Sequence, residues 1–281
     1  IVNDKRYLFK GLCMKNENPD LLDLLKDILS ALMVLSVIPI PWNKVSETPP
    51  EFERSFWAFP IVGLILGLLS SFIFITLYYL GVPIIVSVTL AVISSIIFTG
   101  GLHEEGFADS VQAFKEGKDK KQILELMKNS NINAYGTLAL ILLIVIKIST
   151  LTSLGLENQW YVFSAIIVSS TIGRSMLVFL RSISKQISKN TSNYEKFQTD
   201  GSVLWSALGI SFLITIIFAP FWVAIVGYTF CIIQSYILMA YTNKKIGGVT
   251  GGILGANEQI TEILFLIIFS ALYGSILFFY F

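Results

Sequence analysis

The stretch 98–136, FTGGLHEEGFADSVQAFKEGKDKKQILELMKNSNINAYG, is the one long polar segment of a 281-residue chain that is otherwise dominated by apolar runs. It holds the single histidine, His103, beside Glu104, Glu105 and Asp109. Working outward, the apolar run 84–99 leads into it and the run 135–154 leads away from it. Both approach the roughly 20 residues needed to cross a hydrocarbon layer of about 30 Å. Charged residues make up 14% of the chain and hydrophobic ones 54%, with a mean hydropathy of +0.72. A soluble domain of this size carries about a quarter charged residues. The fold class that follows is all-α: a polytopic membrane bundle of six to seven transmembrane helices with a short re-entrant or interfacial helix near the N-terminus.

The whole chain, 1–281, reads as a single membrane domain. Residues 1–26 mix Lys5, Arg6, Lys10, Lys15 and Lys26 with acids and suit a cytoplasmic surface arm. The chain opens on Ile1, so a few residues are expected upstream, and no secretory signal is expected. Residues 27–41 are apolar but short and end at Pro39 and Pro41, which suits a tilted half-helix better than a full span. Spans are expected at 57–80, from 83 to about 99, at 135–154, 160–180, 203–219 and 221–242, and from 256 to the end. Between them lie an active-site loop and helix at 101–134, a polar loop at 181–200 with Lys185, Lys189 and Lys196, and a glycine-rich loop at 243–260. All 20 lysines and arginines except Lys147 and Arg174 then fall on one side, and the positive-inside asymmetry makes that side the cytoplasm. The location implied is the inner cell membrane. A net charge of +1 gives no footing for nucleic acid. Cys13 and Cys231 stand far apart in no ligand spacing and read as inert thiols.

Several residue patterns carry chemistry. On a helix, Glu105 and Asp109 are four apart and share a face, close enough to share a divalent cation. Glu258 and Glu262 repeat that spacing after the loop 247–255. Two such pairs on one face form a cage for Mg²⁺, whose hard-oxygen preference leaves room for substrate phosphates. Gly100, Gly101, Gly106, Gly247, Gly248, Gly251, Gly252 and Gly255 let backbone amides approach those phosphates. The bland alternatives are a dipole-favoured cap for Glu258, packing glycines, and an interfacial His103. Charge within a span marks function by default. Lys147 either pairs with a buried acid or touches substrate, and Arg174 lies within reach of a site at the cytoplasmic end.

These residues resemble the cobalamin synthase family (adenosylcobinamide-GDP ribazoletransferase). The chain's TGGLHEEGFADSVQA and LMKNSNINAYG match a family TGGLHLDGLADTADG and IMKDSRIGAYG at the same spacing. SVIPIP at 36–41 matches TRIPVP, FPIVGLILG at 59–67 recurs, and GGVTGGILGANEQITE at 247–262 matches GG.TGD.LGA..E..E. The resemblance implies transfer of phosphocobinamide from adenosylcobinamide-GDP to α-ribazole or its phosphate, releasing GMP, with Mg²⁺ as cofactor. It implies catalytic roles for His103 and Glu258, metal ligation by Glu105, Asp109 and Glu262, and substrate contacts from Gly100, Gly101, Glu104, Gly106, Tyr135, Arg174, Gly251 and Gly255. The partners implied are these small molecules and the lipid bilayer, and a homo-oligomer is left open. The chain departs from the family at Val37, Glu105, Gln112, Asn129, Asn131 and Gly252, and only Glu105 keeps its charge. An alternative is therefore a degenerate paralogue that binds a corrinoid or partner without turnover. A transporter fits less well, because the charges gather at one end instead of mid-bilayer.

Overall fold

The computed structural model describes residues 20–128, 133–187 and 200–278. The first helix, α1, spans Leu21–Leu35 and opens on Asp20, whose side chain accepts from the Leu21 amide. Its 15 residues reach only about 22 Å, short of a bilayer core. The apolar helix expected at 27–41 thus begins and ends six residues earlier. Two causes are visible. Pro39 and Pro41 lie in the non-helical segment that follows, and Asp27, buried within the helix, accepts from Arg54 Nε at 2.9 Å and Trp57 Nε1 at 3.0 Å. That contact pins α1 to the 3-10 turn Arg54–Ala58.

Helices α2 (Phe59–Tyr79) and α3 (Ile84–Thr99) form the expected hairpin, turned at Gly81 with φ 82° and restarted by Pro83. At Gly100 and Gly101 the chain bends by 88° into α4, Leu102–Glu116. Both glycines take left-handed φ values, 66° and 71°, where a Cβ would be strained. After α5 (Lys120–Leu126) come α6 (Ala134–Glu157), α7 (Gln159–Ile183), α8 (Gly201–Phe218), α9 (Phe221–Lys245) and α10 (Gly251–Phe278). Side-chain caps start α6 and α7: Asn133 accepts from the Tyr135 and Gly136 amides, and Asn158 from Trp160. Pro220 precedes α9. Six helices among the described residues are long and apolar enough to cross a membrane, and a seventh crossing results if the bent α3/α4 pair counts as one. The protein is a polytopic helical membrane protein.

Helix α7 is the axle of the bundle, buried continuously from Ala165 to Leu180. Small residues let α2 lie against it: a Cβ on Gly63 would stand 2.6 Å from the Ser170 carbonyl oxygen, and one on Gly67 2.9 Å from Ile167 Cα. Close backbone approach of this kind is what membrane helices use where water supplies no hydrophobic drive.

The glycine-rich loop expected at 243–260 is mostly helix. Helix α9 runs to Lys245, and α10 starts at Gly251. Only 246–250 link them, held to the segment after α7 by Val249 N–H on the Lys185 carbonyl and Ile187 N–H on the Val249 carbonyl, both at 2.8 Å. Gly252 and Gly255 sit inside α10 because α4 crosses directly over them. A Cβ on Gly106 would come within 2.7 Å of the Gly252 carbonyl oxygen, and one on Gly255 within 3.2 Å of His103 Cα.

Candidate functional site

Helix α10 presents Glu258, Gln259 and Glu262 to the bundle interior, all buried. Each meets charge from another helix. Lys147 of α6 donates to Glu262 Oε2 and to Gln259 Oε1, both at 2.6 Å. Arg174 of α7 uses one nitrogen, Nη1, three ways: it donates to Glu262 Oε1 at 2.7 Å and to the Ser170 hydroxyl and carbonyl at 2.8 and 3.0 Å. The same nitrogen is 2.7 Å from Glu258 Oε1, which accepts no directed hydrogen bond and is held by charge alone. Gly173 leaves room for this cluster, since a Cβ there would lie 2.9 Å from Glu258 Oε1. Lys147 therefore pairs with a buried acid, one of the two readings its position left open.

Helix α4 supplies the other wall. His103 and Glu104 are buried, whereas Glu105 is exposed and Asp109 is half-buried. Glu104 Oε1 accepts from Gln259 Nε2 at 3.1 Å, while Glu104 Oε2 and His103 Nε2 have no hydrogen-bond partner among the described residues. Residues 105 and 109 share one helix face, on which Glu105 is exposed. The α4 acid that reaches the acids of α10 through Gln259 is one the spacing did not pair with them. It is Glu104 that joins Glu258 and Glu262, and Glu105 stays outside. A cavity of about 30 Å³ borders the cluster, its lining including the polar residues Glu104, Lys147, Ser169, Ser170 and Glu262 and the apolar Leu266. It is large enough and polar enough for water.

The remaining expected contacts spread out. Gly100 and Gly101 form the corner before α4, while Gly106 and Gly255 are packing residues at the α4/α10 crossing and do not line a phosphate-cradling loop. Gly251 opens α10 and is exposed. Tyr135 lies in the first turn of α6, with Lys115 Nζ 5.5 Å from its ring centre. Gln259 and Ser170 were not picked out from sequence. A lone amide or hydroxyl in an apolar run carries no pattern, and only the charges that converge on it reveal its role.

Among the described residues no three His, Cys, Asp or Glu side chains form a metal-holding group. Glu262, expected as a metal ligand, gives both carboxylate oxygens to cations of the protein. Its negative charge is already balanced, so the donor set of α10 does not fit Mg²⁺. The chemistry of Glu105 and Asp109 does fit, because Mg²⁺ commonly takes one or two carboxylates plus substrate phosphates.

A family model described as cobalamin-5-phosphate synthase matches residues 27–270. The chain belongs to this family. Similar proteins named adenosylcobinamide-GDP ribazoletransferase include one from Clostridium botulinum (strain 657 / Type Ba4), 33% identical over 252 residues, which cover 87% of this chain and 97% of the relative. One from Clostridium tetani is 32% identical over 255 residues, 88% and 96% of the two chains. One from Azorhizobium caulinodans is 28% identical over 249 residues, 86% and 94%. No solved structure matches the chain.

The segments that resemble cobalamin synthase are the ones brought together: TGGLHEEGFADS forms the corner and α4, and the segment from Gly251 to Glu262 forms the start of α10. Counted residue by residue, the first glutamate of the pattern GG.TGD.LGA..E..E falls on Gln259, with Glu258 one place before it. Gln112 is buried, and its Oε1 accepts from the Asn133 amide at 2.9 Å, fixing the entry to α6. Val37 is exposed beside Gly100, its amide bonded to the Phe98 carbonyl. Asn129, Asn131, Lys189, Lys196, Cys13 and the arm 1–19 lie outside the described residues.

Proposed function

We propose that this chain is a membrane-bound transferase of cobalamin biosynthesis that joins adenosylcobinamide-GDP to α-ribazole or its 5′-phosphate and releases GMP. The observation that carries the reading is the buried Lys147–Arg174–Glu258–Glu262 cluster clamped against α4, in a chain matched by the family over 27–270. In the reaction the ribose hydroxyl loses its proton, its oxygen bonds to the corrinoid-side phosphorus, and GMP leaves with the electron pair of the broken P–O bond. Catalysis of this kind rests on positioning and on neutralising charge at phosphorus.

The residues divide the work as follows. His103 Nε2, which has no hydrogen-bond partner among the described residues, donates to a phosphate oxygen. Glu258, whose Oε1 accepts no hydrogen bond, takes the hydroxyl proton. Arg174 and Lys147 keep the acids of α10 fixed. Glu105 and Asp109 of α4 would hold Mg²⁺, which supplies charge neutralisation at the diphosphate when bound. The basic residues gathered at one end orient α4, α5 and the 246–250 link to the cytoplasm, in the inner membrane.

A second reading is favoured by one observation. Where the family pattern places an acid, this chain has Gln259, and the neighbouring acids are neutralised by Lys147 and Arg174. A paralogue that binds without turnover would look like this. The two readings separate on purified protein in lipid nanodiscs given Mg²⁺, adenosylcobinamide-GDP and α-ribazole. Equal yields of GMP and cobalamin support the transferase. No GMP from the unaltered chain, with turnover gained by Gly252→Asp combined with Asn129→Asp, supports the binding paralogue.

A further inference from the structure

The acids of the site arrive on two elements, Glu104 on α4 and Glu258 and Glu262 on α10, and one neutral side chain stands between them. Gln259 is 2% exposed. Its Nε2 donates to Glu104 Oε1 at 3.1 Å and to Glu258 Oε2 at 2.8 Å, and its Oε1 accepts from Lys147 Nζ at 2.6 Å. Three helices, α4, α6 and α10, meet at this amide. Its orientation is forced by its neighbours. Turned over, it would set its NH₂ against an ammonium and its oxygen against two carboxylates, three repulsions in a setting of low dielectric.

The geometry points to Gln259 as a positioning residue of the site, a role that rests on the transfer reading for its kinetic consequence. The amide performs two tasks. It separates two carboxylates by giving each one N–H, so that Glu104 and Glu258 stay close without a counter-ion between them. It also occupies one direction around Lys147 Nζ, which directs that ammonium onto Glu262 Oε2 and leaves Arg174 as the only cation at Glu258 among the described ion pairs. Glu258 is therefore fixed at both oxygens, Oε2 by the amide and Oε1 by the Arg174 charge 2.7 Å away, while α4 is held in register by the same amide. The placement of the α4 residues His103 and Glu105 relative to Glu258 thus depends on this buried amide.

The test compares the full-length protein in nanodiscs with Gln259→Leu and Gln259→Asn, using two readouts. The first is amide hydrogen exchange over 102–110, which reports local opening of α4. Exchange is expected to quicken at least about tenfold in both variants, but not in a control, Gln234→Leu, which removes hydrogen bonds between α9 and α10 instead. The second is steady-state kinetics. The expectation is a fall in kcat of at least about tenfold with KM for each substrate within about threefold, the pattern of an interaction that matters for the transition state more than for binding. If the unaltered protein releases no GMP, the transfer reading fails, and the exchange comparison still decides whether Gln259 ties α4 to α10. Unchanged exchange at 102–110 overturns the positioning role, as does a kcat within about twofold of the unaltered enzyme. Failure of both variants to fold shows a purely structural residue and overturns it as well.

Discussion

Lys147, in the middle of α6, donates to Glu262 of α10 across 2.6 Å with both side chains buried. Both charges are withdrawn from bulk water, and breaking such a pair from one side leaves an uncompensated buried charge that typically costs about 3–5 kcal/mol; without Lys147, Arg174 alone would face both Glu258 and Glu262. Lys147→Met is expected to lower the unfolding midpoint in detergent sharply. Adding Glu262→Gln should recover much of the loss, because Arg174 then has Glu258 alone to balance. Thermal unfolding of the single and double variants measures the coupling.

The α4/α10 crossing gives a prediction that separates glycines by position. Gly106→Ala forces a Cβ to 2.7 Å from the Gly252 carbonyl oxygen, closer than real contacts allow, so α4 must lift. GMP release should fall at least about a hundredfold, as expected when a misplacement of about 1 Å disturbs a positioned site. Gly251→Ala has nothing within 4 Å and should retain activity. At Gly252 the nearest atom to a new Cβ is 3.6 Å away, so Gly252→Asp should fold.

Removing the anchor of α1 should weaken the fold without touching the site. Asp27→Ala strips the Arg54 guanidinium and Trp57 Nε1 of their shared acceptor. Losing a buried, charge-assisted partner costs roughly 2–4 kcal/mol. Limited proteolysis should then cut between α1 and the 3-10 turn sooner, while the KM for substrate stays unchanged.

Metal dependence should map to α4 and not to α10. Glu105→Gln with Asp109→Asn is expected to raise the Mg²⁺ concentration giving half-maximal GMP release by about tenfold or more. Glu262→Gln is expected to lower stability and leave that concentration unchanged, because its oxygens serve Lys147 and Arg174. A titration of rate against Mg²⁺ for the three proteins decides between these outcomes.

Hydropathy and length were enough to read the spans, and most boundaries from α2 to α9 fall within a few residues of where the apolar runs begin and end. Spacing also put Glu258 and Glu262 on one face correctly. What it could not supply was rotation. Whether Glu104 or Glu105 faces α10 depends on the angle at which α4 leaves the Gly100–Gly101 corner, and no local pattern encodes it. Gly251, Gly252 and Gly255 misled for a related reason. Glycine signals a turn or a close helix contact equally well, and only the presence of α4 above them decides for contact. Glu262, the acid shared by Lys147 and Arg174, lies 115 and 88 residues from them, beyond any local reading.

The 88° corner at Gly100 and Gly101 has the character of a phase setting. A helix advances about 100° per residue, so one residue inserted at the corner would swing α4 by that angle, carrying Glu104 out and a different side chain in. Exchange of one residue for another there alters a contact, whereas a change in length alters every contact of α4 at once. Within this family, the spacing between the end of α3 and His103 should therefore be harder to change than the residues that fill it.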